Sequence, residues 1–104
     1  ATAIGTLLGA VAGSTIGQSL DRADRIYAAN AHQTALETAP AGQTIAWNNP
    51  DSGHYGNVTP TRTYQTGGSG YCREYQQTVV VGGQPQSGYG TACRQPDGSW
   101  QVVN

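Results

Sequence analysis

The pattern of apolar and polar positions divides the chain into two parts that have different periods. Positions 1–20 carry no charged residue. From the end of this segment onward, apolar residues recur at helical spacing at Leu20, Tyr27, Ala28, Ala31 and Ala35. Pro40 and Gly42 follow, and residues of these two types end helices. The pattern therefore predicts one N-terminal helix of about 35 residues, which ends before the proline.

After this helix the period changes to two, which is typical of strands. Strands are predicted for the segments QTIAWNN, YGNVTPTRTYQT, YCREYQQTVVV, GYGTACRQ and SWQVV. The segments between them are rich in glycine, proline and asparagine, as tight turns are. Short strands joined by such turns form an antiparallel meander or partial barrel. The predicted fold class is α+β, with a helical part at residues 1–38 and a small β domain at 39–104.

The two cysteines fall within the clearest predicted hairpin. Gly82 and Gly83 suit a two-residue turn, because such turns need positive φ values. That turn sets a register that pairs Tyr75 with Gly90 and Cys72 with Cys93. Directly opposed cysteines have Cα atoms about 4.5 Å apart, which a disulfide accepts. We therefore predict a disulfide and an oxidising compartment, with two free buried thiols as the alternative.

Four glycines recur along the apolar N-terminal segment, each four residues after the last, at Gly5, Gly9, Gly13 and Gly17. Glycine costs about 0.8 to 1 kcal/mol relative to alanine inside a helix, so four of them cost roughly 3 to 4 kcal/mol. Spaced in this way, they form one smooth face that another helix can approach closely. We call this predicted feature the glycine-zipper helix. The partner is another copy, a helix missing from this chain, or a membrane neighbour, and the length of the segment, about 30 Å, matches a bilayer.

Charge and motif content argue against several classes of function. The net charge is −1 and the five arginines are scattered, so a nucleic-acid interface is not expected. His32 and His54 have no further ligand at metal-binding spacing, and no metal site or cofactor is expected. No Ser-His-Asp or Cys-His arrangement can be assembled, so no catalytic residue is assigned and the chain is not expected to be an enzyme.

A binding module is the alternative function, because the β domain is dense in aromatic residues. A candidate binding face for glycan, peptidoglycan or peptide comprises Trp47, Tyr64, Tyr75, Tyr89 and Trp100. The chain has no phenylalanine, so these rings are also the main candidates for the core. Asn57 begins the triplet NVT, which makes it a candidate glycan attachment site.

The blocks IGTLLGAVAGSTIGQSLDRADR, SGHYGNVTPTRTY, YCREYQQTVVVGG and GTACRQPDGSWQVV together resemble the rickettsial-type surface antigen proteins. These are bacterial outer-membrane lipoproteins in which a glycine-zipper segment precedes a small C-terminal domain. The resemblance implies an envelope location, antigenicity and a structural role without catalysis. Because the chain begins with Ala1, we expect that an upstream leader has been removed.

The family commonly carries two zipper helices, whereas this chain carries one. A single zipper helix has a glycine face and a leucine-rich face, and contact between unlike surfaces builds rings or filaments. We therefore expect a non-enzymatic structural protein of the bacterial outer membrane, the cell surface or the extracellular space. Its expected partner is itself, as a homo-oligomer or filament, with membrane lipid and surface glycan as further candidates.

Overall fold

A computed structural model describes residues 20–65, 70–96, 98 and 100–102. These residues form one helix, α1 (Arg22–Thr38), and five strands, β1 (Ile45–Asn48), β2 (Tyr55–Gln65), β3 (Tyr71–Val81), β4 (Gln84–Arg94) and β5 (Trp100–Val102). The four glycines of the predicted glycine-zipper helix lie outside the described residues. Within the described part, the α+β class and the antiparallel β meander are confirmed.

The helix α1 begins at Arg22, so the prediction of one helix running unbroken from the N-terminus is wrong. Asp21 is the N-cap, with an extended backbone, and its carboxylate accepts a hydrogen bond from the Asp24 N–H. The Asp24 carboxylate accepts in return from the Asp21 N–H. This reciprocal capping box satisfies the first backbone donors of α1 and sets its start. Over the described residues, no helix is both long enough and apolar enough to cross a membrane.

The five strands form one curled antiparallel sheet in the order β1-β2-β3-β4-β5. The predicted β3–β4 register is confirmed, with Tyr75 opposite Gly90 and Cys72 opposite Cys93. Gly82 and Gly83 form the turn between these strands with φ values of 59° and 77°. Side chains at these φ values would be strained, so the glycine pair explains why the register could be predicted from a local signal.

The core lies between α1 and one face of the sheet, which we call the inner face. Its buried apolar side chains come from both, namely Ala28, Ala31, Ala35 and Leu36 of α1 with Trp47, Val58, Tyr75, Val79, Ala92 and Trp100 of the sheet. The helix and the sheet therefore share one core, and the division of the chain at residues 38 and 39 stays a prediction.

The large inner-face rings occupy space that glycines leave open on neighbouring strands. A Cβ atom at Gly90 would lie 2.5 Å from the Tyr75 hydroxyl oxygen and 2.6 Å from its Cζ atom. The Trp47 indole packs in the same way against Gly56, its register partner on β2. Any side chain at these two glycines would displace a buried ring, so the positions serve packing.

Candidate functional site

The Asp24 carboxylate joins the first turn of α1 to the loop between β1 and β2. Its side chain is fully buried. One oxygen, Oδ1, accepts hydrogen bonds from Asn49 Nδ2 and Ser52 Oγ, both at 2.7 Å. The other, Oδ2, lies 2.6 Å from His54 Nδ1 and accepts from the Asp21 N–H. Four partners converge on one buried carboxylate, which holds this end of α1 against the sheet.

These hydrogen bonds control the ionisation of Asp24. Burial by itself would raise the pKa of the carboxyl group, because it disfavours the charged form. The hydrogen bonds from Ser52 and His54, the Asp21 backbone and Asn49 outweigh burial and lower the pKa of Asp24 to about 2. The carboxylate is therefore ionised at neutral pH, and each of its donors stabilises that charge.

The structure brings together Ser52, His54 and Asp24, although no such arrangement was predicted from the sequence. In a catalytic triad the histidine lies between the other two groups and takes the serine proton. Here Ser52 Oγ donates directly to Asp24 and accepts from the His54 backbone N–H at 3.1 Å. The serine proton therefore points to the carboxylate, and the arrangement is one of structural capping rather than nucleophile activation.

A buried arginine ties the other end of α1 to the sheet. Arg73 on β3 donates through Nη1 to the carbonyl oxygens of Ala35 and Leu36, at 2.9 Å and 3.0 Å. Its Nε donates to Thr63 Oγ1 on β2 at 2.8 Å. The last carbonyls of a helix lack intrahelical partners and carry partial negative charge, so this cation completes the C-terminal end of α1.

Glu37 makes a second polar connection between α1 and the sheet. Its Oε1 accepts from Arg94 Nε at 2.6 Å and from the indole Nε1 of Trp100 at 3.0 Å. The hydrogen bond from Arg94 lowers the pKa of Glu37, against the opposing effect of burial. The helix is thus held by polar groups along its length, in addition to its apolar core.

His32 is buried in the centre of α1 and takes part in the core. Its Nδ1 donates to the Ala28 carbonyl oxygen at 2.8 Å, and its ring meets Tyr75 edge to face at 5.5 Å between centroids. Burial lowers the pKa of His32, so the ring is neutral at neutral pH. In the described part of the chain, no three histidine, cysteine, aspartate or glutamate side chains cluster to hold a metal ion.

The five predicted binding rings do not form one exposed face, and this part of the prediction is wrong. Trp47, Tyr75 and Trp100 are buried on the inner face. They lie there because the core has no phenylalanine and these rings provide its bulk. Tyr64 is half-buried and Tyr89 is 70% exposed, and both lie on the opposite, outer face of the sheet.

The outer face is polar around Tyr89. Tyr89 on β4 stands opposite Gln76 on β3, whose Nε2 donates to the tyrosine hydroxyl at 3.0 Å. In the next row Thr78 and Ser87 are hydrogen-bonded at 2.9 Å. Asn57 is half-buried on this face of β2, and its glycosylation stays a prediction. We call Tyr89 and its three neighbours Gln76, Thr78 and Ser87 the Tyr89 patch.

The disulfide predicted from the hairpin register is confirmed. Cys72 and Cys93 are bonded, with their Cα atoms 4.0 Å apart. Both belong to the outer face, because their strand neighbours Arg73 and Ala92 point to the inner face. The bond lies near the start of β3 and the end of β4, away from the Asp24 contacts.

The chain is similar to known surface antigens over most of its length. A family model described as the 17 kDa outer membrane surface antigen matches residues 34–101. The chain is 58% identical over 89 residues to the 17 kDa surface antigen of Rickettsia bellii, which covers 86% of the chain and 56% of that protein. It is 59% identical over 85 residues to the corresponding antigen of Rickettsia conorii, covering 82% and 54% of the two chains. The chain spans about half the length of these relatives, and no solved structure matches it.

Proposed function

Because the chain belongs to the 17 kDa outer membrane surface antigen family, we propose that it is a non-enzymatic structural protein of the bacterial cell envelope. Its relatives are named surface antigens, which supports a place at the cell surface. In this proposal the glycine-zipper helix packs in a membrane or between subunits, and the sheet domain faces outward. The observation that carries the packing role is the regular spacing of the four N-terminal glycines.

The start of α1 also supports a contact surface at this end of the domain. Asp24 fixes the first turn of α1 against the β1–β2 loop, so the place where the described chain begins is defined. Ile26 and Tyr27 lie beside that place and are 38% and 42% exposed, respectively. Apolar side chains exposed next to an apolar segment extend the area that a neighbouring helix can cover.

Substitution of Gly9 and Gly13 by leucine is expected to break the assembly of the chain. Two leucine side chains would fill the smooth face and keep a neighbouring helix at a distance. The parent chain in detergent-free buffer should form rings or fibres in negative-stain electron microscopy, with a matching high mass by light scattering. The Gly9→Leu, Gly13→Leu variant should give particles of much lower mass.

The matched control adds the same two leucines at the same spacing, on another side of the predicted helix, as Ala10→Leu, Ser14→Leu. This control should assemble like the parent. If the parent particles disperse only in detergent, the helix packs in a membrane instead of between soluble subunits. Uniform monomers of the parent without detergent would overturn the subunit contact.

Glycan binding by the Tyr89 patch is a second candidate function. It is favoured by one observation, the 70% exposed ring of Tyr89 surrounded by amide and hydroxyl groups. A flat exposed ring can stack on the apolar face of a sugar, while neighbouring amides and hydroxyls bind its hydroxyl groups. The patch replaces the five-ring face, whose tryptophans are buried.

Tyr89→Ala is expected to weaken binding to purified peptidoglycan, measured by cosedimentation, at least about fivefold, because the stacking ring is lost. The control is Tyr55→Ala, which removes a ring that is 51% exposed on the same outer face, on β2 and two residue rows along the sheet from Tyr89. Equal binding by parent, variant and control would exclude the patch as a glycan site.

A further inference from the structure

The edge of β2 that faces β1 is only partly paired. β2 has eleven residues, and β1 pairs with the first four of them, from Tyr55 to Val58. The loop before β1 adds one contact, from the Gly42 N–H to the Pro60 carbonyl oxygen at 2.7 Å. Beyond it, within the described residues, no strand pairs with this side of the segment Thr61–Gln65. We call this five-residue segment the open edge.

The open edge is accessible and has a composition that favours strands. Four of its residues are exposed and Tyr64 is half-buried. Its sequence, TRTYQ, contains two threonines and a tyrosine, residue types that are enriched in strands. Unpaired N–H and C=O groups along such an edge are a template for another strand.

We propose that the open edge pairs antiparallel with the same segment of a second copy of this chain. The two-fold axis passes between the two Thr63 residues, so Arg62, Thr63 and Tyr64 of each open edge find regular partners. Gln65 then lies opposite Thr61, which sits at a β-bulge of β2. Antiparallel pairing of identical segments is self-complementary, and it closes as a dimer. This contact does not depend on the proposed packing of the glycine-zipper helix.

The side chains of the open edge favour an axis at Thr63 over an axis at Arg62. Residues that oppose each other must lie on the same face of the sheet, so the axis can pass only at a residue. An axis at Arg62 would place two arginines opposite each other, which is destabilising. The axis at Thr63 places Arg62 opposite Tyr64 of the partner subunit, twice. Arg62 already stacks on a tyrosine in its own strand, 5.1 Å above the Tyr64 ring, so the pair is chemically compatible.

The position of the open edge determines what the contact connects. It lies beside Arg73, whose guanidinium reaches the C-terminal end of α1, whereas the N-terminal segment leaves from the opposite end of the helix. Antiparallel pairing therefore places the starts of the two α1 helices away from the contact, on opposite sides of it. With the glycine-zipper helix as a second contact, each chain would have one contact at each end, and alternation of the two would extend a filament.

A cross-linking experiment tests the axis directly. A Thr63→Cys variant should form a disulfide-linked dimer under mild oxidation, since opposed residues of antiparallel strands have Cα atoms about 4.5 to 5.5 Å apart. The control is Ser87→Cys, an exposed hydroxyl-to-thiol change on β4. Mass spectrometry should locate the cross-link at residue 63 in both copies. Equal cross-linking of the two variants would overturn the proposal.

A charge experiment tests the register, with the dimer measured by analytical ultracentrifugation. Tyr64→Arg places arginines opposite each other twice and should raise the dimer dissociation constant about tenfold. Tyr64→Glu places a carboxylate opposite Arg62 and should change it less than about threefold. Both are made in the Gly9→Leu, Gly13→Leu background, so the result is independent of the zipper contact. Equal weakening by the two changes, or no dimer in this background, would contradict the proposed pairing.

Discussion

Replacement of Asp24 by alanine is expected to lower the free energy of unfolding by about 2 to 4 kcal/mol, because the buried and partly buried donors around it would be left without an acceptor. Asn49, Ser52 and the Asp21 N–H would lose their acceptor in a region where the carboxylate is fully buried. Each unsatisfied buried donor costs about 1 to 3 kcal/mol. Urea unfolding with the disulfide intact measures the loss.

The matched control for Asp24 is Asp51→Ala, in the same loop. Asp51 is exposed, and it is joined to the network only through its backbone N–H, which donates to Asn49 Oδ1. Its replacement should change the free energy of unfolding by less than about 0.5 kcal/mol. A similar small change for Asp24→Ala would show that the network adds nothing to stability.

Because of the same carboxylate, the free energy of unfolding should fall in acid. The pKa of Asp24 falls from 3.8 to about 2 on folding, so the folded state holds the charged form more strongly. Its contribution is complete above about pH 5 and is lost as the pH falls through 3.8 to the folded value of about 2. At about 1.4 kcal/mol for each pH unit between the two values, the contribution is about 2 kcal/mol. Asp24→Asn should remove this part of the acid transition, measured by urea unfolding between pH 2 and pH 6.

Removal of the disulfide by the double change Cys72→Ala, Cys93→Ala is expected to lower the free energy of unfolding by about 3 kcal/mol. The bond closes a chain segment with a sequence separation of 21, and it restricts the unfolded chain. In the folded state the two cysteines are already opposite each other through the β3–β4 register. The variant should therefore keep the parent fold, as judged by far-UV circular dichroism, and unfold at a lower urea concentration.

Reduction of the parent chain provides the control for this prediction. If the covalent bond is the source of the stability, the reduced parent and the double variant should unfold at similar urea concentrations. A double variant as stable as the oxidised parent would contradict the chain-restriction account. A reduced parent that is much more stable than the variant would instead indicate that the loss comes from packing of the alanines.

The strands, the hairpin and the disulfide were predictable because their signals are local. Alternation of polar and apolar residues sets the period, and turn residues set the ends of each strand. The pair Gly82 and Gly83 permits one tight turn, and that turn brings Cys72 opposite Cys93. Short blocks of sequence also carried the resemblance to surface antigens, and the matching family model and relatives confirm that the chain belongs to this family.

The start of α1 is set by a local capping motif, which the spacing of apolar residues does not reveal. The helical spacing of apolar residues includes Leu20, but Asp21 and Asp24 form a capping box, and α1 begins at Arg22. The pattern of an aspartate followed three residues later by an acidic residue was the available signal. The spacing of apolar residues does not include this signal, and the prediction of one unbroken helix was wrong.

Whether a polar or aromatic side chain is buried or exposed depends on which residues the fold places beside it. The local sequence around Asp24 is that of a solvent-exposed helix residue. In the fold its carboxylate is buried, because Asn49, Ser52 and His54 of the β1–β2 loop contact it. Arg73 is a charged residue of β3, yet it is buried because the carbonyls at the end of α1 accept hydrogen bonds from its guanidinium. Local periods are properties of the chain alone, whereas burial and polar pairing arise from contacts between segments far apart in sequence. The sequence therefore sufficed for the meander and its disulfide, while the docking of the helix depended on the complete fold.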